Sequence, residues 1–226
     1  MHIEPGVVDG AKMGLAYVTA AGAGGVALKM AWDDLKTGNP ISFGVRAIAA
    51  TAAVFVFFEV LPHFAVGISE VHFILGTTLL LILGIAPAAF GLAAGLLLQG
   101  ALFAPSDLPM FFVNVTTLLA PLFAVGILAK KIIAPNTAYV DLKYSQALQL
   151  SFAYQGGIIA WVAFWAFYGQ GFGAENMNAV FSFGAAYLLV VVIESVADLA
   201  VLAAAKYARG GMEATGLTHQ RLYQAA

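Results

Sequence analysis

The chain has 226 residues, 62% of them hydrophobic and only 10% charged, where a soluble domain carries about 25% charged. A water-soluble protein of this size could not bury that much apolar surface, so the excess must face lipid. A net charge of −2 without any Lys/Arg cluster gives no footprint for nucleic acid, and the absence of cysteine excludes disulfides, thiolate metal sites and thiol catalysis. Any site must be built from nitrogen and oxygen.

A membrane span needs roughly 20 apolar residues. In chain order, the first predicted helix runs from about Ala11 to Trp32 and ends at the polar stretch DDLKTGNP, 33–40. The second covers about Phe43 to Leu61 and stops at Pro62-His63. The third starts near Glu70 and reaches Gly84, short for a span, and a Gly84–Pro87 turn leads to the fourth, which ends near Ala104. Pro109 is placed to open the fifth helix, which extends to about Ile133. A polar linker over 134–149 precedes the sixth, ending near Tyr168, and the seventh covers about Met177 to Ala205. The expectation is an all-α integral membrane protein, a bundle of about seven helices over 11–205. It is preceded by a short segment, 1–10, and followed by a polar tail, 206–226, in a single transmembrane domain.

Basic residues orient the bundle. With the N-terminus outside, Lys29, Lys36, Arg46, Lys130, Lys131, Lys143, Lys206, Arg209 and Arg221 all fall on the cytoplasmic side, and only Lys12 falls outside. Residues 1–10, MHIEPGVVDG, lack the basic start of a signal peptide, and His at position two is too bulky for ordinary removal of the initiating Met. The expectation is a mature chain that begins at Met1 and, once deformylated, carries a free amine outside.

That amine has a chemical use. The Met1 amino nitrogen, the His2 amide nitrogen and the His2 imidazole Nδ1 can close a five- and a six-membered chelate ring on one cation. The amide must lose its proton, which Ni²⁺ and Cu²⁺ promote strongly and Co²⁺ less readily. The fourth corner suits an imidazole. His63 and His72 are both candidates, His72 about one turn inside the third helix and His63 in the loop before it, whereas His219 lies in the tail. Gln99 and Asn114 project to the same depth from the fourth and fifth helices and could hydrogen-bond a ligand histidine or the N-terminal segment, or simply hold helices together. Glu59 and Glu70 lie nearer the outer face, available to a cation or to Lys12. Glu194 and Asp198, one turn apart on the seventh helix, face either a partner subunit or the bundle interior. Gly10-x-x-x-Gly14 and Gly91-x-x-x-Gly95 have the spacing of close helix packing. The chain has no P-loop and no H-E-x-x-H, so neither ATP hydrolysis of the usual kind nor a zinc protease is expected of it.

The opening Met1-His2-Ile3-Glu4-Pro5-Gly6, then His72, Gly84 and Pro87, Gln99-Gly-Ala-Leu-Phe and Asn114-Val115, follow in the order and at about the spacing of a known family. The chain resembles the cobalt/nickel-binding membrane subunits of energy-coupling factor ABC transporters, the CbiM/NikM group, well over 1–10 and 70–125 and by topology elsewhere. The resemblance implies an ion site made of the Met1 amine, the His2 amide and imidazole and the His72 imidazole, supported by Asn114 and Gln99. It implies a cobalt or nickel ion as cargo, a multi-pass cell (inner) membrane location, and no enzymatic activity in this chain. ATP hydrolysis would fall to two cytosolic ATPase subunits joined through a coupling membrane subunit, with room for a small accessory membrane subunit. The family surrounds its histidine with Ser-His-Pro-Thr-Gly, where this chain has Val71-His72-Phe73-Ile74-Leu75-Gly76. The alternative from another class is a membrane enzyme or assembly factor using Glu59, His63, Glu70 and His72 without transport.

Overall fold

The computed structural model describes residues 2–209 and 217–224, which leaves Met1 outside the described residues. Among them are seven α-helices: α1 (Met13–Thr37), α2 (Pro40–Phe55), α3 (Gly76–Leu83), α4 (Ile85–Leu102), α5 (Phe111–Ile132), α6 (Tyr144–Gln170) and α7 (Ala174–Tyr207). Five helical stretches are long and apolar enough to cross a membrane: Pro40–Val60, Ile85–Leu102, Pro105–Ile132, Tyr144–Gln170 and Ala174–Tyr207. The protein is a multi-pass membrane protein.

Local chemistry sets the helix ends. α1 runs five residues past the expected stop at Trp32. Lys29 pairs with Asp33 one turn on (2.6 Å), and Thr37 bonds back to the Asp33 carbonyl. The break comes at Gly38-Asn39-Pro40. Asn39 caps α2 by accepting from the amides of Ile41 (2.8 Å) and Ser42 (3.4 Å), and Pro40 occupies the first turn, where its missing N–H costs nothing. Lys29 lies within α1 and Arg46 within α2. α2 widens into a π-helical turn, Val56–Val60, before Pro62. α6 begins at Tyr144, inside the expected linker.

The largest departure follows α2. Residues 64–71 form an antiparallel hairpin, β1 (Phe64–Val66) and β2 (Ser69–Val71), turning at Gly67 with φ 64°. A two-residue turn needs that positive φ, and a Cβ on Gly67 would also strike the Ala179 carbonyl of α7. The third helix therefore starts at Gly76 rather than near Glu70. At eight residues it is about 12 Å long, too short to span. Preceded by the non-helical stretch 72–75, it still runs alongside α2. His72 packs on Phe58 at one end (5.3 Å), and the Leu83 carbonyl accepts from Arg46 at the other (2.6 Å).

Of the two glycine pairs, one packs. A Cβ on Gly91 would run into Ala50, and one on Gly95 would reach Val54 Cγ1 at 2.6 Å, so α4 lies directly against α2. Gly10 and Gly14 face open space.

Candidate metal centre

The N-terminal segment enters the fold as a strand. Ile3 bridges Ser69, the Glu70 amide donates to the His2 carbonyl (2.9 Å), the Ser69 hydroxyl to the same carbonyl (3.0 Å), and the Glu4 amide to the Ile68 carbonyl (3.0 Å). From the other side the Ile3 amide donates to Asn114 Oδ1 (2.8 Å). Ile3, Val7 and Val8 are buried, which anchors the peptide in the core. Asn114 thus grips the N-terminal segment. Gln99 instead donates to Glu59 (3.4 Å) and has no hydrogen bond to a histidine among the described residues.

Three side chains converge beside this strand. His2 Nδ1 lies 3.0 Å from His72 Nε2 and 2.9 Å from Glu70 Oε2, and His72 Nε2 lies 2.7 Å from the same carboxylate oxygen. His2 is 3% exposed and His72 0%. His72 is not one turn inside a helix. It stands two residues after Glu70, in register with β2, and alternation along an extended strand sends both side chains to one side. Glu70, expected to be available to a cation or to Lys12, is the third member; Lys12 donates instead to the Gly169 carbonyl (2.5 Å). His63 is outside the triangle. Its ring stacks on His72 (4.8 Å, 14°), and its Nδ1 lies 3.2 Å from the Leu61 carbonyl.

The electrostatics favour neutral imidazoles beside a charged carboxylate. Burial pulls His72 well below the usual histidine value, and burial, with the positive chain terminus next, pulls His2 down. Hydrogen bonds from His2 and then His72 hold Glu70 well below the usual carboxylate range. That is the protonation state a metal ion requires of these ligands. His2, Glu70 and His72 form a cluster able to hold a cation, with ligand atoms within 4.8 Å of one another.

The segment carrying His72 is fixed from beneath by Glu194. Its carboxylate accepts from the Ile74 and Leu75 amides, Leu75 at 2.9 Å, and from Gln155 Nε2; Gln155 Oε1 in turn takes the Tyr187 hydroxyl (2.6 Å). The start of α3 is buried, with amides that have no water to turn to, and a carboxylate from α7 satisfies them. Leu75, at φ 53°, is held in the left-handed region there. Of the two settings open for Glu194 and Asp198, the bundle interior is the one observed, with 0% and 5% exposure.

A sequence model described as the cobalt uptake substrate-specific transmembrane region matches residues 2–211. A crystal structure described as that of a truncated transition metal transporter superposes with a TM-score of 0.67 at 19% identity, covering 90% of this chain and 97% of that one; at that identity the likeness is one of fold. No curated protein matches the chain.

Proposed function

The chain belongs to the CbiM family of cobalt-uptake substrate-specific transmembrane regions, and from that membership we propose that it captures a cobalt or nickel ion outside the cell membrane and passes it inward. Its place is the substrate-binding subunit of an energy-coupling factor transporter. The triangle of His2 Nδ1, His72 Nε2 and Glu70 Oε2 carries this reading. The two imidazole nitrogens, 3.0 Å apart as a hydrogen-bonded pair, turn toward the same carboxylate oxygen and can close on one ion together. The Met1 amine and the deprotonated His2 amide complete the nitrogen plane, and Glu70 adds negative charge beside the ion.

In this arrangement the N-terminus lies outside and the basic ends of the helices lie in the cytoplasm, following the charge asymmetry. A coupling membrane subunit and two cytosolic ATPases supply the energy. The test is metal content. Wild type purified after growth with both ions should hold about one ion per chain, and His72→Ala less than about a tenth of that. Near-stoichiometric metal in His72→Ala would overturn the site.

A further inference from the structure

A histidine that ligates through Nδ1 carries its ring proton on Nε2, and it ordinarily donates that proton to a carboxylate, a carbonyl or a water. His2 is 3% exposed, and its Nε2 has no hydrogen-bond partner among the described residues. A buried donor left in that state is costly. A second donor shares the predicament. Asn114 Oδ1 accepts from the Ile3 amide, which sets the orientation of the side-chain amide and leaves Nδ2 as a donor. Asn114 is 1% exposed, and its Nδ2 is likewise unpartnered among the described residues.

His2 and Asn114 line one cavity of about 10 Å³, and the third polar residue on its wall is Asp107, with Leu96 and Phe111 among the apolar ones. That volume is about the least that holds a single water. Asp107 stands in a short 3₁₀ helix, Pro105–Met110, that leads into α5. Its Oδ1 takes the Ser106 hydroxyl at a long 3.3 Å, and a carboxylate accepts up to about four hydrogen bonds. After Glu70, Asp107 is the carboxylate whose charge the His2 ring feels.

We propose that Asp107 is a positioning residue for the metal site, acting through one water in this cavity to hold the His2 ring with Nδ1 toward the ion. The inference rests on the capture reading above and deepens it. Donors and acceptors balance: the water accepts from His2 Nε2 and Asn114 Nδ2 and donates to the Asp107 carboxylate. Asn114, which already grips the Ile3 amide, thereby fixes the ring of the preceding residue as well. An anionic partner on the far nitrogen also makes Nδ1 a stronger donor to the ion.

The test is Ni²⁺ binding to the full chain in nanodiscs, read as stoichiometry, affinity and the position of the ligand-field absorption band. Wild type should hold one tight ion. Asp107→Ala should still hold one, bound about 10–100-fold more weakly, with the band displaced to longer wavelength because His2 has become a weaker donor. Glu4→Gln removes a neighbouring charge and should leave the band in place. Unchanged affinity and band in Asp107→Ala overturns the proposal. So does weaker binding with an unmoved band, or an equal displacement in Glu4→Gln, either of which would reduce Asp107 to a nearby charge. If Asp107→Ala does not fold, Asp107→Asn, which keeps the shape and loses the charge, decides. A smaller displacement in the same direction sustains the proposal, and an unmoved band ends it. A wild type without a tight ion would contradict the capture reading, and the proposal with it.

Discussion

The two ends of the bundle each hold a histidine near a carboxylate, buried at one end and half-buried at the other, yet their charge balance differs. At the first, His2 and His72 meet Glu70 with no cationic side chain in the triangle. At the other, His219 lies over Gly84 and stacks on Tyr139, and its amide donates to the Ile82 carbonyl (2.6 Å). The carboxylate there, Asp34, is already taken by Arg46 at 3.1 and 3.2 Å. Burial lowers His219 below the usual histidine value, and the Arg46 guanidinium lowers it further. A cavity of about 540 Å³ opens beside these groups, so lack of space is not what bars a cation there. Charge balance is: a guanidinium occupies the place a metal would need.

Substitutions at the two ends should therefore differ in scale. His72→Ala removes a ligand and should weaken Co²⁺ or Ni²⁺ binding by more than about 100-fold, read by calorimetric titration. Glu194→Gln leaves the ligands in place and disturbs what holds His72, because an amide cannot accept from Ile74, Leu75 and Gln155 together; a loss of about 10–100-fold is expected. Glu70→Gln should cost about tenfold, since the nitrogen ligands remain while the adjacent charge is lost. His219→Ala should change affinity by less than about twofold. A large effect there would break the comparison.

The metal-free protein offers a pH test. Burial puts His2 and His72 below the ordinary histidine value of 6.5. As pH falls below 6.5, the unfolded chain takes up protons that the folded chain refuses, so folded stability declines until the buried rings protonate in turn. The contribution of Glu70 has the same sign of shift, downward, and acts at lower pH. It is present above the ordinary carboxylate value of 4.5 and is lost only below it. Between pH 7.5 and 5.5 the melting temperature should therefore fall, and His72→Ala should flatten that slope.

Much of this was legible in the residues. The apolar runs located the helices, and the Gly91/Gly95 pair marked a real close contact. Chelate chemistry drew attention to Met1 and His2, and the order of motifs drew it to His72. Glu70 was named as available to a cation, but its pairing with His72 was hidden by one misjudged element. If 70–84 is a helix, residues two apart point to nearly opposite sides; if 69–71 is a strand, they point to the same side. The apolar run Val71–Leu75 fits either reading by periodicity. What selects the strand is non-local: the N-terminal segment pairs with β2 and α7 presses on the Gly67 turn. The role of Glu194, though not the residue itself, was hidden for a similar reason, because its partners include backbone amides exposed only by α3 starting late.

The central claim is that the N-terminus itself holds the ion. It is tested most directly by adding one residue before Met1 and measuring bound Co²⁺ and Ni²⁺ on the purified full chain. The extension displaces the terminal amine and leaves His2, Glu70 and His72 in the sequence. Loss of the tightly bound ion, with the protein still folded, is the predicted result. One ion per chain retained at unchanged affinity would contradict it.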